Sequence, residues 1–588
     1  MEHSALYKWR LMKPDSNAIS LLQRELGCSR LIATLLVNRN IMNPSDADAF
    51  LNPSYSHLAD PFLLPDADAA VRRIHLALRR GELIGIHGDY DSDGVTAAAL
   101  LARLLHKMDA RTTVYVPHRE RDGYDLRSKF VDKAIAEGVK LIITADCGIQ
   151  RFEEVDHAKE AGIDVIITDH HLPSDTLPDA VAVVNPMRKD SKYPFAYLAG
   201  VGVVYRLGEA LVKFTGKSID SYRRAYADLV AIGTITDIMP LLGENRVFVK
   251  NGLRQIQASK KPGIRALLDT SGIGNNPITT HHVGFQIGPR INAIGRMDDA
   301  NIALSLLITH ETAVASELAG MLEQANNSRK EEERKILQEA LMQAGKSEDD
   351  DLFCIVLAGE NWHPGVVGLV ANKIVDMFSR PSILVSIDME TGIAKGSARS
   401  IKAFNIFDAI LECNQRMGRD GQTLKEFGGH SHAAGLSLHS RYLKEFSEMM
   451  DCIAKERLKR EDFIPILQVD AVVDLAKMTS DVMRDIAMTA PWGHANEEPM
   501  FVSTGLRVER MEKFGKEMNH AKFLFSIPDG VKLEGIMWRA NRLPWMPMPE
   551  SEVAICYKPE INSYNNHIRL NILDIHPATK GVKCMMGL

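Results

Sequence analysis

The sequence predicts an α/β protein: two α/β lobes joined by a long helix and followed by a small β-barrel. Three observations carry that prediction. From about residue 70, short apolar strands alternate with amphipathic helices, the pattern of a parallel sheet buried on both faces. Residues 311–346 have helix-forming composition with a charged middle, Arg329–Lys335, which suits a solvated helix and equally a rigid connector. Beyond about 465 the helical signal fades into evenly spaced short strand-like runs with polar turns.

Taken in order, residues 1–65 read as a helical segment, with Asn43-Pro44-Ser45-Asp46 and Asn52-Pro53-Ser54-Tyr55 as turns or helix starts. Within 66–310, Ala69–Arg80, Gly94–Met108 and Ser128–Glu137 read as helices. Leu83–His87, Thr113–Val116, Leu141–Thr144, Val165–Thr168 and Ala182–Val184 read as strands. The helix of 311–346 leads to a second α/β segment at 347–460, opening with Leu352–Leu357. The runs Leu467–Val473, Phe501–Val508, Phe523–Ile527, Val553–Tyr557 and Ile568–Ile575 place the barrel in 461–588.

Composition narrows the class. The 588 residues are 45% hydrophobic and 25% charged, as in a soluble globular protein. No signal-peptide core and no apolar run long enough to span a bilayer occurs, so no membrane partner and a cytoplasmic location are expected. The seven cysteines form no metal-binding pair spacing, which points to a reducing compartment and to core thiols. The net charge of −6 hides an asymmetry: from Leu506 onward, twelve Lys and Arg stand against nine Asp and Glu.

The chemistry lies where the strands stop. Strand 83–87 ends in His87-Gly88-Asp89-Tyr90-Asp91-Ser92-Asp93-Gly94, strand 141–144 in Ala145-Asp146-Cys147-Gly148, and strand 165–168 in Asp169-His170-His171. Carboxyl edges of an open α/β sheet form its ligand site. Three edges thus deliver Asp and His to one crevice, where packed carboxylates need cations to neutralise them. Such a donor set suits Mn²⁺ or Mg²⁺, and two ions would activate a water and stabilise a leaving phosphate oxygen. For any single Asp the alternative is a helix N-cap, and for the glycines a tight turn.

At these residues the sequence resembles the DHH phosphoesterase superfamily: His87-x3-Asp91-x-Asp93, Asp146, Asp169-His170-His171, and Asp237 in Gly233-Thr234-Ile235-Thr236-Asp237 follow its four motifs in order. The resemblance implies that His87, Asp91, Asp93, Asp146, His170 and Asp237 hold metal and that Asp91, Asp93, Asp146 and His171 carry catalysis. It also implies that His171 touches the scissile phosphate, while Asp89 and Asp169 act as supports. Flanking segments, among them HGDYDSDGVTAAALL, VYVPHRERDGYDL, LAGVGVVYRL, IGPRINAIGRMDDA, NWHPGVVGLVANKI, GSARS, GGHSHAAG and PWGHANEEPMF, are similar to the single-strand-specific exonuclease family RecJ over nearly the whole chain. Asp125 departs from that pattern, standing where glycine is expected.

This resemblance implies a 5′-to-3′ exonuclease of single-stranded DNA, releasing mononucleotides in recombination and repair. It would have a DHH domain, a DHH-associated domain and an oligonucleotide-binding (OB) barrel, with a single-strand-binding protein and a repair helicase as partners. The alternative is a small-molecule or short-oligonucleotide phosphodiesterase of the same superfamily. For substrate, Gly428, Gly429 and His430 with Ser397 and Arg399 form a phosphate-sized anion site, against the alternative of a plain turn and a surface cation. Arg290 and Arg296 bracket an apolar turn that would clamp phosphates, and Arg119 is a further candidate for a terminal phosphate. Tyr124 would stack on a base. Tyr90 and Trp362 are stacking platforms or core residues.

Overall fold

The computed structural model describes residues 6–119, 121–123, 125–274, 277–345, 351–418, 424–527, 532–562 and 567–578. The chain divides into two compact units: Pro14–Asn326 with Arg484–Glu498, and Met1–Lys13 with Asn327–Met483 and Pro499–Leu588. Regular structure opens with strand β1 (Lys8–Leu11), where the sequence predicted helix. Four residues are too few to show a period, and the partner of β1 is distant: it pairs in parallel with Ile466–Val469.

In the unit built on Pro14–Asn326, β2 (Leu83–Gly88), β3 (Arg111–Tyr115), β4 (Leu141–Ala145), β5 (Asp164–Thr168) and β6 (Ala182–Val184) form an all-parallel sheet of order β3-β2-β4-β5-β6. Both faces are covered, as the apolar strands demand. One apolar cluster joins Ile84, Ile86 and Ile143 to the helices Ala67–Arg80, Ser92–His106, Gly200–Phe214 and Ile219–Thr236. The other joins Ile142, Val165 and Ile167 to the helices Ser128–Glu137 and Phe152–Glu160. The order matters for function, because β2, β4 and β5 are neighbours. Their three carboxyl edges therefore lie side by side.

The helix Thr312–Ala344 leads to a second sheet of order β10-β11-β9-β8-β7, built from β7 (Ile355–Glu360), β8 (Ser382–Ile387), β9 (Ile393–Arg399), β10 (Leu424–His430) and β11 (Ala433–His439). Only β7 and β8 pair in parallel; the other pairings are antiparallel. Trp362 is 1% exposed and donates to Glu339 Oε2 at 2.7 Å, so it belongs to the core and not to a stacking surface.

Next come β12 (Ile466–Val469), β13 (Ala471–Val472), β14 (Phe501–Phe514), β15 (His520–Ser526), β16 (Lys532–Met537), β17 (Glu552–Ile561) and β18 (Ile568–Pro577). Strands β14 to β18 close into a barrel of order β14-β15-β16-β18-β17, with β17 returning to β14. The α/β architecture with a C-terminal barrel is the fold class the sequence predicts. Strand β16 had no signal of its own, because Gly535 interrupts a run without alternation. The span 461–588 is not one block: Arg484–Glu498 joins the other unit, where Arg246 donates to the carbonyls of Ala490 and Pro491 and its guanidinium sits 3.7 Å above the Phe50 ring. Strand β1 clips onto the barrel instead. Trp9 donates to Asp574 Oδ2 at 2.9 Å and meets the His576 ring edge-on.

Among the described residues, no helix is long and apolar enough to cross a membrane.

Candidate metal centre

The carboxylates of the first sheet edge are fixed by main-chain donors. Asp91 caps the helix Ser92–His106, its Oδ1 accepting from the N–H groups of Asp93 (2.9 Å) and Gly94 (3.0 Å). Asp93 bridges to the start of the helix Gly200–Phe214, accepting from Gly200 at 2.7 Å and Val201 at 2.8 Å. Asp169 accepts from the N–H groups of Ile149, His170 and His171. The positive ends of helices thus hold two of the acids in place.

Glycines make the room. A Cβ on Gly200 would overlap the Asp146 carboxylate, and one on Gly94 would lie 2.6 Å from Asp89 Cβ. Asp146 itself has φ +68°, the left-handed region that aspartate tolerates better than most residues.

Around this frame, three sets of donor atoms each lie within 4.8 Å of one another: Asp146, His170 and His171; Asp93, His170 and Asp237; Asp89, Asp91 and Asp146. His170 Nε2 is 3.1 Å from Asp146 Oδ1, 3.6 Å from Asp237 Oδ2 and 4.0 Å from Asp93 Oδ2. Asp237 ends the helix Ile219–Thr236. Asp89, expected only as a support, stands among the potential donors. A carboxylate in the same loop as two predicted ligands was a signal available in the sequence.

The electrostatics show what this cluster lacks. Burial and the charge of Asp91 hold the Asp93 carboxyl up at about 7. Burial first, then neighbouring carboxylates, keep Asp146, Asp237 and Asp89 well above the usual carboxylate range. Burial, then the positive charge of His171, lowers His170 to about 4, so its contact with Asp146 is no ion pair. Such acids cannot all ionise side by side without added positive charge. Buried Asp146 Oδ1, Asp89 Oδ1 and His87 Nε2 have no hydrogen-bond partner among the described residues, an arrangement costly in a finished core. The donor set therefore fits Mn²⁺ or Mg²⁺.

His171 differs from its neighbour. Burial pulls its pKa down, but the hydrogen bond to Asp169 (Nδ1–Oδ1, 2.7 Å) and that carboxylate's charge reverse this and raise it to about 9. Its side chain is 45% exposed, against 11% for His170. His87 is fully buried, packed on Phe130 and beside the Cys147 thiol.

The substrate candidates fall into two groups. Arg119 lies over the Tyr90 ring, 5.5 Å from its centroid, at the rim of the acid loop. Arg290 and Arg296 sit on the helix Gly288–Met297 and not in a turn. Arg290 is 8% exposed and spends its guanidinium on Glu323 (2.5 Å), the Gln286 carbonyl (2.6 Å) and the Thr270 carbonyl (3.2 Å), which corrects its reading as a phosphate clamp. Tyr124 lies outside the described residues. Asp125, the departure from the family pattern, has φ +71°, which explains the expected glycine; its carboxylate meets Arg151 at 2.7 Å.

In the second sheet, Ser397 and Gly435 are register partners on β9 and β11, as are Gly428 and Gly435 on β10 and β11. Arg399 Nη1 donates to Ser397 Oγ at 2.9 Å. Gly428, Gly429 and His430 are exposed, and a Cβ added at Gly428 or Gly435 would meet nothing within 4 Å. The anion-site candidates of this sheet thus occupy three adjacent strands.

Comparison with known proteins agrees along the length of the chain. Residues 83–234 match the model of the DHH family, N-terminal domain; 351–456 match the DHHA1 domain and 469–574 the RecJ OB domain. Asp237 lies just past the first match. The single-stranded-DNA-specific exonuclease RecJ of Bacillus subtilis is 36% identical over 559 residues, 95% of this chain and 69% of that protein. Its counterpart in Salmonella typhimurium is 36% identical over 87% of this chain and 91% of its own. The crystal structure of RecJ from Thermus thermophilus in complex with Mn²⁺ superposes with a TM-score of 0.81 at 29% identity, covering 97% of this chain and 80% of that one, and a Mg²⁺ complex of the same protein is also similar. A motif order, three domain matches and a shared architecture converge, and the chain belongs to the RecJ family of single-stranded-DNA-specific exonucleases.

Proposed function

We propose that this protein degrades single-stranded DNA from its 5′ end, releasing mononucleotides with Mn²⁺ or Mg²⁺ held in the Asp–His cluster. The observation that carries this is the convergence of buried, under-neutralised Asp and His donors at three adjacent strand edges. The relatives' specificity for single-stranded DNA supports the substrate.

In this reading His87, Asp91, Asp93, Asp146, His170 and Asp237 hold a pair of ions, with Asp89 completing the set. Bound there, the ions supply positive charge to the phosphate oxygens and make a water more acidic. The protein's own part is placement. Asp93 and Asp91 are aimed by backbone N–H groups before any ion arrives. Asp169 occupies His171 Nδ1 and keeps the ring protonated near neutral pH, so Nε2–H donates to the scissile phosphate. Ser397 and Arg399, with Gly428, Gly429 and His430, grip the DNA backbone, and the 5′-terminal phosphate is read by Arg399. Arg119 and Arg296 contribute charge beside Tyr90. A cytoplasmic role in recombination and repair, beside a single-strand-binding protein and a helicase, accords with the family.

The test is digestion of a single-stranded oligonucleotide labelled at either end, with Mn²⁺, Mg²⁺ or EDTA, run beside a duplex, pyrophosphate and a cyclic dinucleotide. Mononucleotides should appear from the 5′ label first, only with metal and only from the single strand. Full activity in excess EDTA, or a preference for the small substrates, would refute the proposal.

A further inference from the structure

The loop of residues 116–127, between β3 and the helix Ser128–Glu137, touches two of the acid-bearing segments of the first sheet. Near its start Arg119 lies over the ring of Tyr90, which stands between Asp89 and Asp91. Near its end Asp125 Oδ2 accepts from Arg151 Nε at 2.7 Å, and Arg151 belongs to the segment that follows Asp146.

Two carboxylates pin this loop, and they do different work. Asp122 serves the loop itself: it accepts from Tyr115 Oη at 2.7 Å, His118 N–H at 3.0 Å and Lys129 Nζ at 2.7 Å, all within seven residues of it. Asp125 reaches 26 residues along the chain, to a segment that is itself held fast. There the Arg151 N–H donates to the Gly148 carbonyl at 3.1 Å and the Ile149 N–H donates to Asp169 Oδ2 at 3.0 Å. Asp169 in turn orients His171. Leu126 and Ile149, next to the two partners, are buried in one apolar cluster.

The residue type is the telling feature. Asp125 has φ +71°, a conformation that glycine adopts freely and that costs aspartate strain. Its side chain is only 6% exposed, so an unpaired carboxylate there would be costly, and both oxygens are engaged: Oδ1 accepts from the Leu126 N–H at 2.7 Å, Oδ2 from Arg151. Strain and burial are both accepted to make one long-range bond, the kind of outlier from which a functional role is inferred.

We propose that Asp125 and Arg151 are a positioning pair that fixes Arg119 relative to the metal donors. On the exonuclease reading, on which this rests, Arg119 meets a phosphate while the acids hold the ions. The pair references the loop carrying Arg119 to the segment that carries Asp146 and supports Asp169, so phosphate contact and metal site share one frame. Catalysis gains from such a frame because small displacements of a contact group are expensive.

The test is steady-state hydrolysis of a single-stranded oligonucleotide by the full chain with Mn²⁺, paired with thermal melts. Asp125→Asn keeps a residue that tolerates φ +71° and an acceptor for Leu126, and loses only the charge. It should raise KM about tenfold and leave kcat and the Mn²⁺ needed for half-activation within about twofold. Arg151→Gln should do the same, Arg151→Lys should recover most of the loss, and the double variant should be no worse than either single. The decisive background is Arg119→Ala: there Asp125→Asn should raise KM no further, because the contact it places has gone. A bond that only stapled the fold would lower the melting temperature and act equally with or without Arg119. If Asp125→Asn melts well below wild type, Asp125→Gly, relaxed at this φ, makes the same comparison. An unchanged KM in Asp125→Asn, or an equal rise in the Arg119→Ala background, overturns the positioning pair alone. A wild type without metal-dependent hydrolysis of the strand overturns the exonuclease reading as well.

Discussion

Glycine does opposite work in the acid cluster and in the β10–β11 hairpin. In the cluster, Gly200 and Gly94 lie against Asp146 and Asp89, and their missing Cβ atoms are space already taken by those side chains. In the hairpin, Gly428 and Gly435 face open space and lie exposed. The first arrangement suits small cations, which need donors fixed tightly together before they bind. The second suits a polymer, which needs backbone N–H groups left accessible. A glycine filled by the protein and a glycine left for a ligand look the same in sequence; only the surroundings separate them.

The contrast can be broken most forcefully at the acids. Asp146→Asn or Asp237→Ala should reduce single-strand hydrolysis by about a thousandfold or more, judged against the loss of a preorganised electrostatic group. The metal-free protein should melt no lower than wild type at pH 8, because one member of a repelling set has gone. Near-normal turnover at saturating Mn²⁺ would overturn the assignment.

Next come the glycines themselves. Gly200→Ala should destabilise the fold by roughly 1–3 kcal/mol through overpacking and lower activity about a hundredfold, since the displaced group is Asp146. Gly428→Ala should leave the melting temperature within about a degree and raise KM for the oligonucleotide. Thermal melts paired with kinetics decide it. Equal stability losses in both variants would erase the distinction.

Arg399→Ala sharpens the hairpin side. It should cost about ten- to a hundredfold in affinity for 5′-phosphorylated strands and abolish their advantage over 5′-hydroxyl strands, from loss of a charge-assisted bond of about 1.5–3 kcal/mol. Arg290→Ala should instead lower stability and keep the phosphate preference, as its partners are Glu323 and two carbonyls. A swapped pattern would move the end pocket to the first unit.

The smallest effect is on pH. Asp93 sits at about 7 and three neighbours are raised, whereas unfolded aspartates titrate near ~4. From about pH 4 to 7 the cation-free native state therefore binds more protons than the unfolded chain, and its stability falls as pH rises across that window. Cations replace those protons. The melting-temperature gain from Mn²⁺ should be larger at pH 8 than at pH 6 by roughly 3 °C. A gain independent of pH would mean that the acids are not ligands.

Local features were legible, and remote ones were not. Apolar strands ending in Asp and His announced the first sheet and its edge, since strand, turn and donor lie within a dozen residues. Helix N-cap and metal donor looked like alternatives for Asp91, yet its Oδ1 caps the helix while the carboxylate also lies among potential ligands. One carboxylate has two oxygens, so the readings were never exclusive. Arg290 misled because its partners lie up to 33 residues away and leave no mark beside it. Trp362 was ambiguous for the same reason, its burial being set by the surrounding fold and by Glu339. Strand β1 escaped entirely, its partner being far along the chain.

That strand also orders the protein's birth. Trp9 leaves the ribosome some 565 residues ahead of Asp574, which receives it together with His576. Strand β12, its pairing partner, also comes late. At typical elongation rates the wait lasts about half a minute or more. Throughout it, an exposed Trp and an unpaired strand edge must avoid other partners. The body of the first sheet can fold meanwhile, whereas the barrel's clip is fastened only once β18 has been made. Nascent chains stalled before β18 should therefore hold a protease-sensitive beginning ahead of a resistant middle.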